Sequence, residues 1–257
     1  VWLLRGRFAD TWRAIDGAFL LTLLAGIVCS IATLARLITY LLTHHGLLVW
    51  SFFFGLILVS VYLVGREIPR WNLAAVMAAV LGALFAYLIT VASPLALSLT
   101  PLNVFLGGCI AICAMILPGI SGSFILLLLG LYTGILQAVK SADFALLGLF
   151  ALGCITGLLC FSRLLSWLLN HLRSVTLAFL TGLLIGSLNK VWPWKQTLTW
   201  RVDSHGERVP LQELNLLPQR YAELTGEPSL WQAGMALMVL GVVLVLLLEW
   251  WGRRAAT

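Results

Sequence analysis

Apolar stretches long enough to cross a membrane recur along this chain, separated by shorter polar segments. A helix needs about 20 apolar residues to span a hydrocarbon core of about 30 Å. The stretches are continuous and lack the alternation that a transmembrane β-barrel requires. The pattern therefore predicts an all-α, polytopic helical membrane protein with spans at 18–43, 47–65, 72–92, 144–169, 174–190 and 230–251.

The apolar segment 102–139 differs from these spans because the sequence PGISGS interrupts it at Pro118 to Ser123. Each apolar piece beside the interruption has about 15 residues and, at 1.5 Å per residue, reaches only about 22–24 Å. We expect a re-entrant hairpin built from two broken half-helices. Non-helical backbone at membrane depth is tolerated only where protein or a water-filled cavity satisfies its polar groups. The break is therefore the first place to expect a site.

The composition excludes several classes of protein. Of the 257 residues, 61% are hydrophobic and 10% are charged, whereas a soluble domain has about 45–50% apolar and about 25% charged residues. Soluble enzymes, nucleic-acid-binding modules and disordered regulators do not fit these values. The net charge of +6 is explained by orientation signals and by anionic membrane lipids as partners. The cysteines lie in apolar stretches without metal-ligand spacing, so we expect no metal and no cofactor.

An internal repeat relates residues 16–60 to residues 143–187 at an offset of 127. The rarer identities are the informative ones, since any two membrane helices share leucines. They are Asp16 with Asp143, Gly26 with Gly153, Arg36 with Arg163, His44 with His171, Phe52 with Phe179, Gly55 with Gly182 and Ser60 with Ser187. If 102–139 enters and leaves on one side, the two copies have opposite orientations. That arrangement is an inverted-topology repeat, common among secondary transporters.

This repeat predicts how a single integral membrane domain, 1–257, is organised. The first repeat would cover 1–92 without its hairpin, and the second would cover 102–251 with the hairpin 102–139. The offset puts the missing first hairpin before Val1, which predicts an N-terminally truncated chain. The segment 190–229 is expected to lie outside the membrane and to form short surface helices.

The break offers polar groups that suit an anion. Pro118 ends one half-helix, and the free N–H groups at the start of the next favour negative charge. We expect Gly119 and Gly122 to let a ligand approach the backbone, and Ser121 and Ser123 to add hydroxyl donors. A helix kink satisfied by its neighbours remains the alternative.

Two arginines, Arg36 and Arg163, lie about two helical turns inside their apolar runs. An intramembrane arginine costs a few kcal/mol or more and usually faces a cavity or a partner. One guanidinium from each repeat could hold a phosphate through paired hydrogen bonds. The alternative is that both side chains reach to the nearer membrane interface.

Three segments together resemble the bacterial polyprenyl-phosphate transporter family PopT: GGCIAICAMILPGISGSFILLLLGLY, RGRFADTWRAIDGAFL and WSFFFGLILVSVYLVGR. The resemblance covers nearly all of the chain and is most specific at the break. It implies a multi-pass protein of the bacterial cytoplasmic membrane that acts as a flippase. Its substrate would be undecaprenyl phosphate, the lipid carrier recycled for cell-envelope synthesis. The family's N-terminal motif of the PGVSGGT kind is absent from this sequence.

Two other interpretations stay open at this point. An integral undecaprenyl-diphosphate phosphatase-like hydrolase also uses Pro-Gly-x-Ser hairpins, but it would call for an Arg where Gly122 stands and for paired intramembrane glutamates. A small-anion channel or transporter would use the same helix dipoles and arginines. The sequence leaves both a monomer and a homo-oligomer open.

Overall fold

The computed structural model describes the backbone of residues 17–92, 94–95, 97–202 and 208–255. The predicted all-α, multi-pass class is confirmed, with one β-hairpin added between the last two membrane helices. In chain order the elements are α1 (Gly17–Arg66), α2 (Leu73–Val91), α3 (Pro101–Ile116), α4 (Gly122–Leu128), α5 (Tyr132–Lys140), α6 (Phe144–His171), α7 (Arg173–Val191), β1 (Lys195–Val202), β2 (Arg208–Asn215), α8 (Pro218–Thr225) and α9 (Trp231–Ala255).

Five stretches in the described ranges are long and apolar enough to cross a membrane. They are Leu37–Arg66, Leu73–Val91, Phe144–His171, Arg173–Val191 and Trp231–Arg254. The predicted spans 18–43 and 47–65 both lie in α1, which consists of two helices joined across a kink at His45, whose backbone angles are non-helical. The predicted span 18–43 is not one of the five stretches. The chain divides into two compact units between Val49 and Trp50, and the second unit holds all the elements after α1.

The predicted interruption of segment 102–139 is present, but its second half differs from the prediction. We expected one half-helix after the break, whereas the structure has two, α4 and α5, bent by 110° relative to each other. The bend follows from Gly130, which has φ +76°. The N–H of Leu131 donates to the Leu126 carbonyl, and the N–H of Gly130 donates to the Leu127 carbonyl. This is the hydrogen-bond pattern that ends a helix at a left-handed glycine.

Helices of the second unit pair closely because glycines face the backbone of a neighbouring helix. A methyl group on Gly182 of α7 would overlap the Ala79 carbonyl of α2, and one on Gly153 of α6 would overlap the Phe105 carbonyl of α3. The Cys109 thiol of α3 also donates to the Gly153 carbonyl over 3.0 Å. Small residues such as Gly153 and Gly182 thus let these membrane helices approach closely.

The segment after α7 forms an antiparallel β-hairpin instead of surface helices alone, so that expectation was wrong except for α8. In β1, KQTLTWRV, the Thr, Trp and Val residues favour an extended strand. Two tryptophans anchor this segment to the bundle. The Nε1 of Trp192 donates to the Leu216 carbonyl and that of Trp194 to the Ser229 carbonyl, each over 2.8 Å.

Candidate functional site

The break between α3 and α4 is a tight turn that only glycine fits at its centre. Gly119 has φ +85°, a conformation that costs other residues about 1–2 kcal/mol. A methyl group on Gly119 would also lie 2.6 Å from the Oγ of Ser187 in α7. Ser187 is buried and donates its hydroxyl to the Leu184 carbonyl. The turn is therefore seated directly against α7.

A cavity of about 200 Å³ opens beside this turn. Its walls are mainly apolar, and Thr90 and Ser121 add hydroxyl groups. Among its lining residues only Lys190, from the last turn of α7, carries a charge. The lining residues are Ala86, Ile89, Thr90, Gly119, Ile120, Ser121, Phe124 and Lys190. The cavity is thus an apolar chamber with one cation and two hydroxyls on its walls.

The residues that the sequence predicted for the site occupy different positions at the break. Gly119 and Ser121 line the cavity, and the Ser121 hydroxyl is hydrogen-bonded to that of Ser123 over 2.8 Å. Pro118 lies in the turn that follows α3. Gly122, in contrast, is buried against α3, where a methyl group would lie 2.6 Å from the Ala111 carbonyl. The missing side chain of Gly122 therefore serves helix packing, and Gly119 is the glycine that faces the cavity.

The helix that follows the break, α4, has seven residues, so few peptide dipoles add up at its start. The anion-binding role expected of that start stays a prediction. The positive charge at the cavity comes from a side chain, Lys190, which by sequence alone belonged with the charges of the loop 190–229. A local signal was present, since Ser187, Asn189 and Lys190 are polar residues clustered in the last turn of an apolar helix.

The two predicted arginines are not brought to the break by the described contacts. Arg163 lies exposed on α6, and in the described part of the chain it has no ion-pair partner. Arg36 belongs to α1, but its side chain lies outside the described residues. Their proposed role in holding a phosphate stays a prediction.

Lys190 belongs to a cluster of charges at the end of α7. Its Nζ lies 2.8 Å from Oε2 of Glu213 in β2, and Lys195 of β1 contacts the same oxygen over 3.3 Å. The Lys190 Nζ also lies 5.7 Å from the centre of the Phe124 ring, just after the break. Phe124 lines the cavity at the break. The ammonium group therefore lies between the β-hairpin and that cavity.

Lys190 also lines a second cavity, of about 190 Å³. Its polar walls include Asn189, Lys195, Glu213 and Asn215. The Asn215 amide donates to the Asn189 side chain over 2.8 Å, and the Asn189 amide donates to the Thr90 hydroxyl over 3.0 Å. These bonds connect β2, α7 and α2, so the hairpin is fixed to the helices that form the site.

The local environment shifts the pKa values of two groups in this cluster. Burial raises the pKa of Glu213, but the hydrogen bonds and charges of Lys190 and Lys195 outweigh it and hold that pKa below its usual value. Burial lowers the pKa of Lys195, and the nearby Glu213 charge acts in the opposite direction. Glu213 is therefore ionised at neutral pH and holds both lysines.

Apolar membrane helices and a broken membrane segment, with Lys190 lining a cavity at the break, define a multi-pass α-helical membrane protein with a candidate site at that break. The family model described as undecaprenyl phosphate translocase-like matches residues 1–209. The chain belongs to this family, and the resemblance to polyprenyl-phosphate transporters is confirmed. It is a multi-pass protein of the bacterial inner membrane.

Two relatives carry the name polyprenyl-phosphate transporter. One, from Vibrio cholerae serotype O1, is 54% identical over 254 residues, which cover 99% of this chain and 82% of the relative. The other, from Staphylococcus aureus, is 30% identical over 193 residues, which cover 68% of each protein. No solved structure matches this chain.

Proposed function

We propose that this protein carries undecaprenyl phosphate across the bacterial inner membrane, so that the lipid carrier is recycled for cell-envelope synthesis. The observation that carries the proposal is the apolar cavity at the break, which pairs a lysine with hydroxyl groups inside a chain whose relatives are named polyprenyl-phosphate transporters. A polyprenyl phosphate has the matching chemistry, a compact anion on a long apolar chain.

In this proposal the break holds the headgroup while the prenyl chain stays between helices and lipid. Ser121 would donate a hydrogen bond to a phosphate oxygen, and Lys190 would neutralise charge. Moving an unpaired anion into hydrocarbon is very costly. A pre-formed cation and donors at the cavity lower that cost. Arg163 remains a proposed second cation, because an arginine within an apolar run usually meets an anionic partner.

An inverted repeat would let one site open to both sides in turn, and the helix contacts support it. Gly182 faces the Ala79 carbonyl, and Gly55 of α1 faces the Met238 carbonyl of α9 in the same way. An offset of 127 relates the two glycines, and an offset of 159 relates the two carbonyl residues. A reciprocal contact repeats with the same two offsets, since Gly82 faces the Phe179 carbonyl and Gly241 faces that of Phe52.

The directions of these helices support opposite orientation of the two copies. α2 and α7 are parallel, because contacts advance along both from Gly182 and Ala79 to Asn189 and Thr90. α1 and α9 are also parallel, because contacts advance along both helices from Gly55 and Met238 to the ion pair of Arg66 with Glu249. Successive crossings α1 and α2 run in opposite directions, so α7 runs opposite to α1. Rocking of such repeats exposes a central site alternately.

A leaflet-resolved transport assay tests this function. The full-length protein would be reconstituted into vesicles with undecaprenyl phosphate in the inner leaflet, and outer-leaflet phosphate would be followed with an impermeant phosphatase added outside. We expect protein-dependent transfer of the monophosphate and no release of phosphate from the diphosphate lipid. Hydrolysis of the diphosphate without transfer would favour an enzyme, and flux of inorganic phosphate alone would favour an anion pathway. Either result would contradict the proposal.

A further inference from the structure

Lys190 is shared by the two cavities at the end of α7. Its side chain lines the apolar cavity at the break and also the polar cavity beneath the β-hairpin. Its Nζ lies 2.8 Å from Oε2 of Glu213, which lines the polar cavity, and 5.7 Å from the centre of the Phe124 ring, which lines the apolar cavity. A lysine side chain is flexible, so its ammonium group can move from one neighbouring partner to another. Lys190 is therefore placed within reach of both cavities.

The two lysines that hold Glu213 differ in their freedom to move. The Lys195 side chain is 8% exposed, whereas that of Lys190 is 39% exposed. Lys195 is also fixed by a hydrogen bond to the Lys190 carbonyl and by the Trp50 ring, whose centre lies 4.9 Å from its Nζ. Lys195 can thus keep Glu213 neutralised after Lys190 has left it.

We propose that Lys190 is an exchangeable cation that leaves Glu213 to bind the phosphate headgroup in the cavity at the break, while Lys195 retains Glu213. This inference rests on the proposed function and names the residues that take the headgroup charge. Two cations share one carboxylate, so the cluster carries one surplus positive charge for the incoming anion. Glu213 competes with the phosphate for Lys190, which keeps binding reversible, and a transporter needs reversible binding to release its substrate.

If Glu213 and the phosphate compete for Lys190, substitutions of Lys190 and of Glu213 should change the affinity for the phosphate lipid in opposite directions. Lys190→Gln removes the cation and should weaken phosphate-lipid binding about 10- to 100-fold, the loss expected for a charged hydrogen bond. Glu213→Gln removes the competitor and should tighten binding while slowing transport. Lys195→Gln leaves Glu213 dependent on Lys190 and should weaken binding. A purely structural role of the cluster would make all three variants bind less well.

The experiment measures binding of farnesyl phosphate to the full-length protein in nanodiscs by calorimetry, with farnesol and inorganic phosphate as separate ligands. Lys140→Gln, at the end of α5, is the matched control for loss of one lysine charge. We expect farnesyl phosphate to respond to the three substitutions with the signs above. In the double variant Lys190→Gln with Glu213→Gln, the tightening caused by Glu213→Gln should disappear, because the two residues act on each other.

Several outcomes would overturn the inference without touching the proposed function. Unchanged binding in Lys190→Gln, or weakened binding in Glu213→Gln, would do so while transport by the unaltered protein persists. Equal responses of farnesol and farnesyl phosphate would also do so, because the charge would then be irrelevant. A response to inorganic phosphate alone would assign the cation to a free anion instead of a lipid headgroup, and absent transport in the unaltered protein would refute the function itself. If Lys190→Gln is not monodisperse, Lys190→Arg and the sign of the Glu213→Gln effect decide the question.

Discussion

Gly182 of α7 lies against the backbone carbonyl of Ala79 in α2 so closely that no side chain fits between the two helices. Both residues belong to the parallel helix pair that carries Thr90 and Lys190 at its end. Both helices therefore contribute residues to the wall of the cavity at the break. The equivalent contact of Gly55 with Met238 joins α1 to α9.

The first prediction concerns these two glycines. Gly182→Val should force α2 and α7 apart and lower the stability of the protein by about 1–3 kcal/mol or more, the cost of overpacking a close contact. Gly55→Val should have a similar effect, because it meets a backbone carbonyl in the same way. Thermal unfolding in detergent, followed by tryptophan fluorescence, measures both.

Gly148→Val is the matched control for this prediction. Gly148 lies in α6, and a methyl group placed on it would meet nothing within 4 Å among the described residues. We expect its stability to stay within a few tenths of a kcal/mol of the wild type or to rise slightly, because valine has a somewhat better helix propensity than glycine. Equal losses at Gly148 and Gly182 would show that the close crossing does not determine stability.

The second prediction concerns Gly119, where backbone angle and contact both demand glycine. Gly119→Ala should cost about 1–2 kcal/mol for its positive φ and additional free energy for the overlap with Ser187. We expect loss of transport and a lower unfolding temperature. Adding Ser187→Gly removes the overlap but not the backbone strain, so transport should recover in part.

Gly226→Ala is the control that measures the cost of the positive φ without a steric overlap. Gly226 has φ +72° in the turn after α8, and a methyl group at this position would meet nothing within 4 Å among the described residues. The substitution should lower stability by about 1–2 kcal/mol for backbone strain and leave transport unchanged.

If adding Ser187→Gly to Gly119→Ala restores no transport, the contact between the turn and α7 is not what positions the break.

The third prediction concerns Arg163. If this arginine meets the headgroup during translocation, Arg163→Ala should abolish transport while preserving insertion and expression, and Arg163→Lys should retain part of it. The leaflet-resolved assay with matched protein amounts measures both variants. Unchanged transport in Arg163→Ala would remove this residue from the substrate path and would favour its exposed position at the lipid interface.

The fourth prediction is a pH dependence of stability that comes from Glu213. Its pKa in the folded protein lies below the usual 4.5, because the hydrogen bonds and charges of Lys190 and Lys195 outweigh the effect of burial. The folded state therefore binds the proton less well than the unfolded state. The stabilisation by Glu213 is complete above the unfolded pKa and is lost as the pH falls through the lower, folded pKa.

Unfolding temperatures of the wild type and of Glu213→Gln, measured from pH 7 down to pH 3, isolate this effect. The difference between the two proteins should be largest near neutral pH and should shrink in the acidic range. A difference that stays constant over the whole range would mean that the carboxylate charge contributes nothing, and that Glu213 acts through packing alone.

The apolar spans and the break at Pro118 could be predicted from the sequence because each has a local signature. Lipid offers no partners for backbone groups, so apolar length alone indicates helices. The repeat at an offset of 127 stays a prediction, which the similar contacts of Gly55 and Gly182 support. The bend at Gly130 and the β-hairpin were missed. Both depend on a few residues within otherwise apolar or mixed sequence.

The charge that faces the break was decided only by the tertiary structure. A lysine at the end of a membrane helix looks the same in sequence whether it meets lipid headgroups or a cavity. Close packing of α2 on α7, and the return of β2 over the end of α7, bring Thr90, Lys190 and Glu213 together. Gly122 is a second example. The sequence does not show that Gly122 packs against α3, because that contact depends on how α4 and α3 lie in the folded protein. Sequence alone thus determined which segments enter the membrane, since that depends on apolar length, whereas contacts between distant segments determined which groups meet at the site.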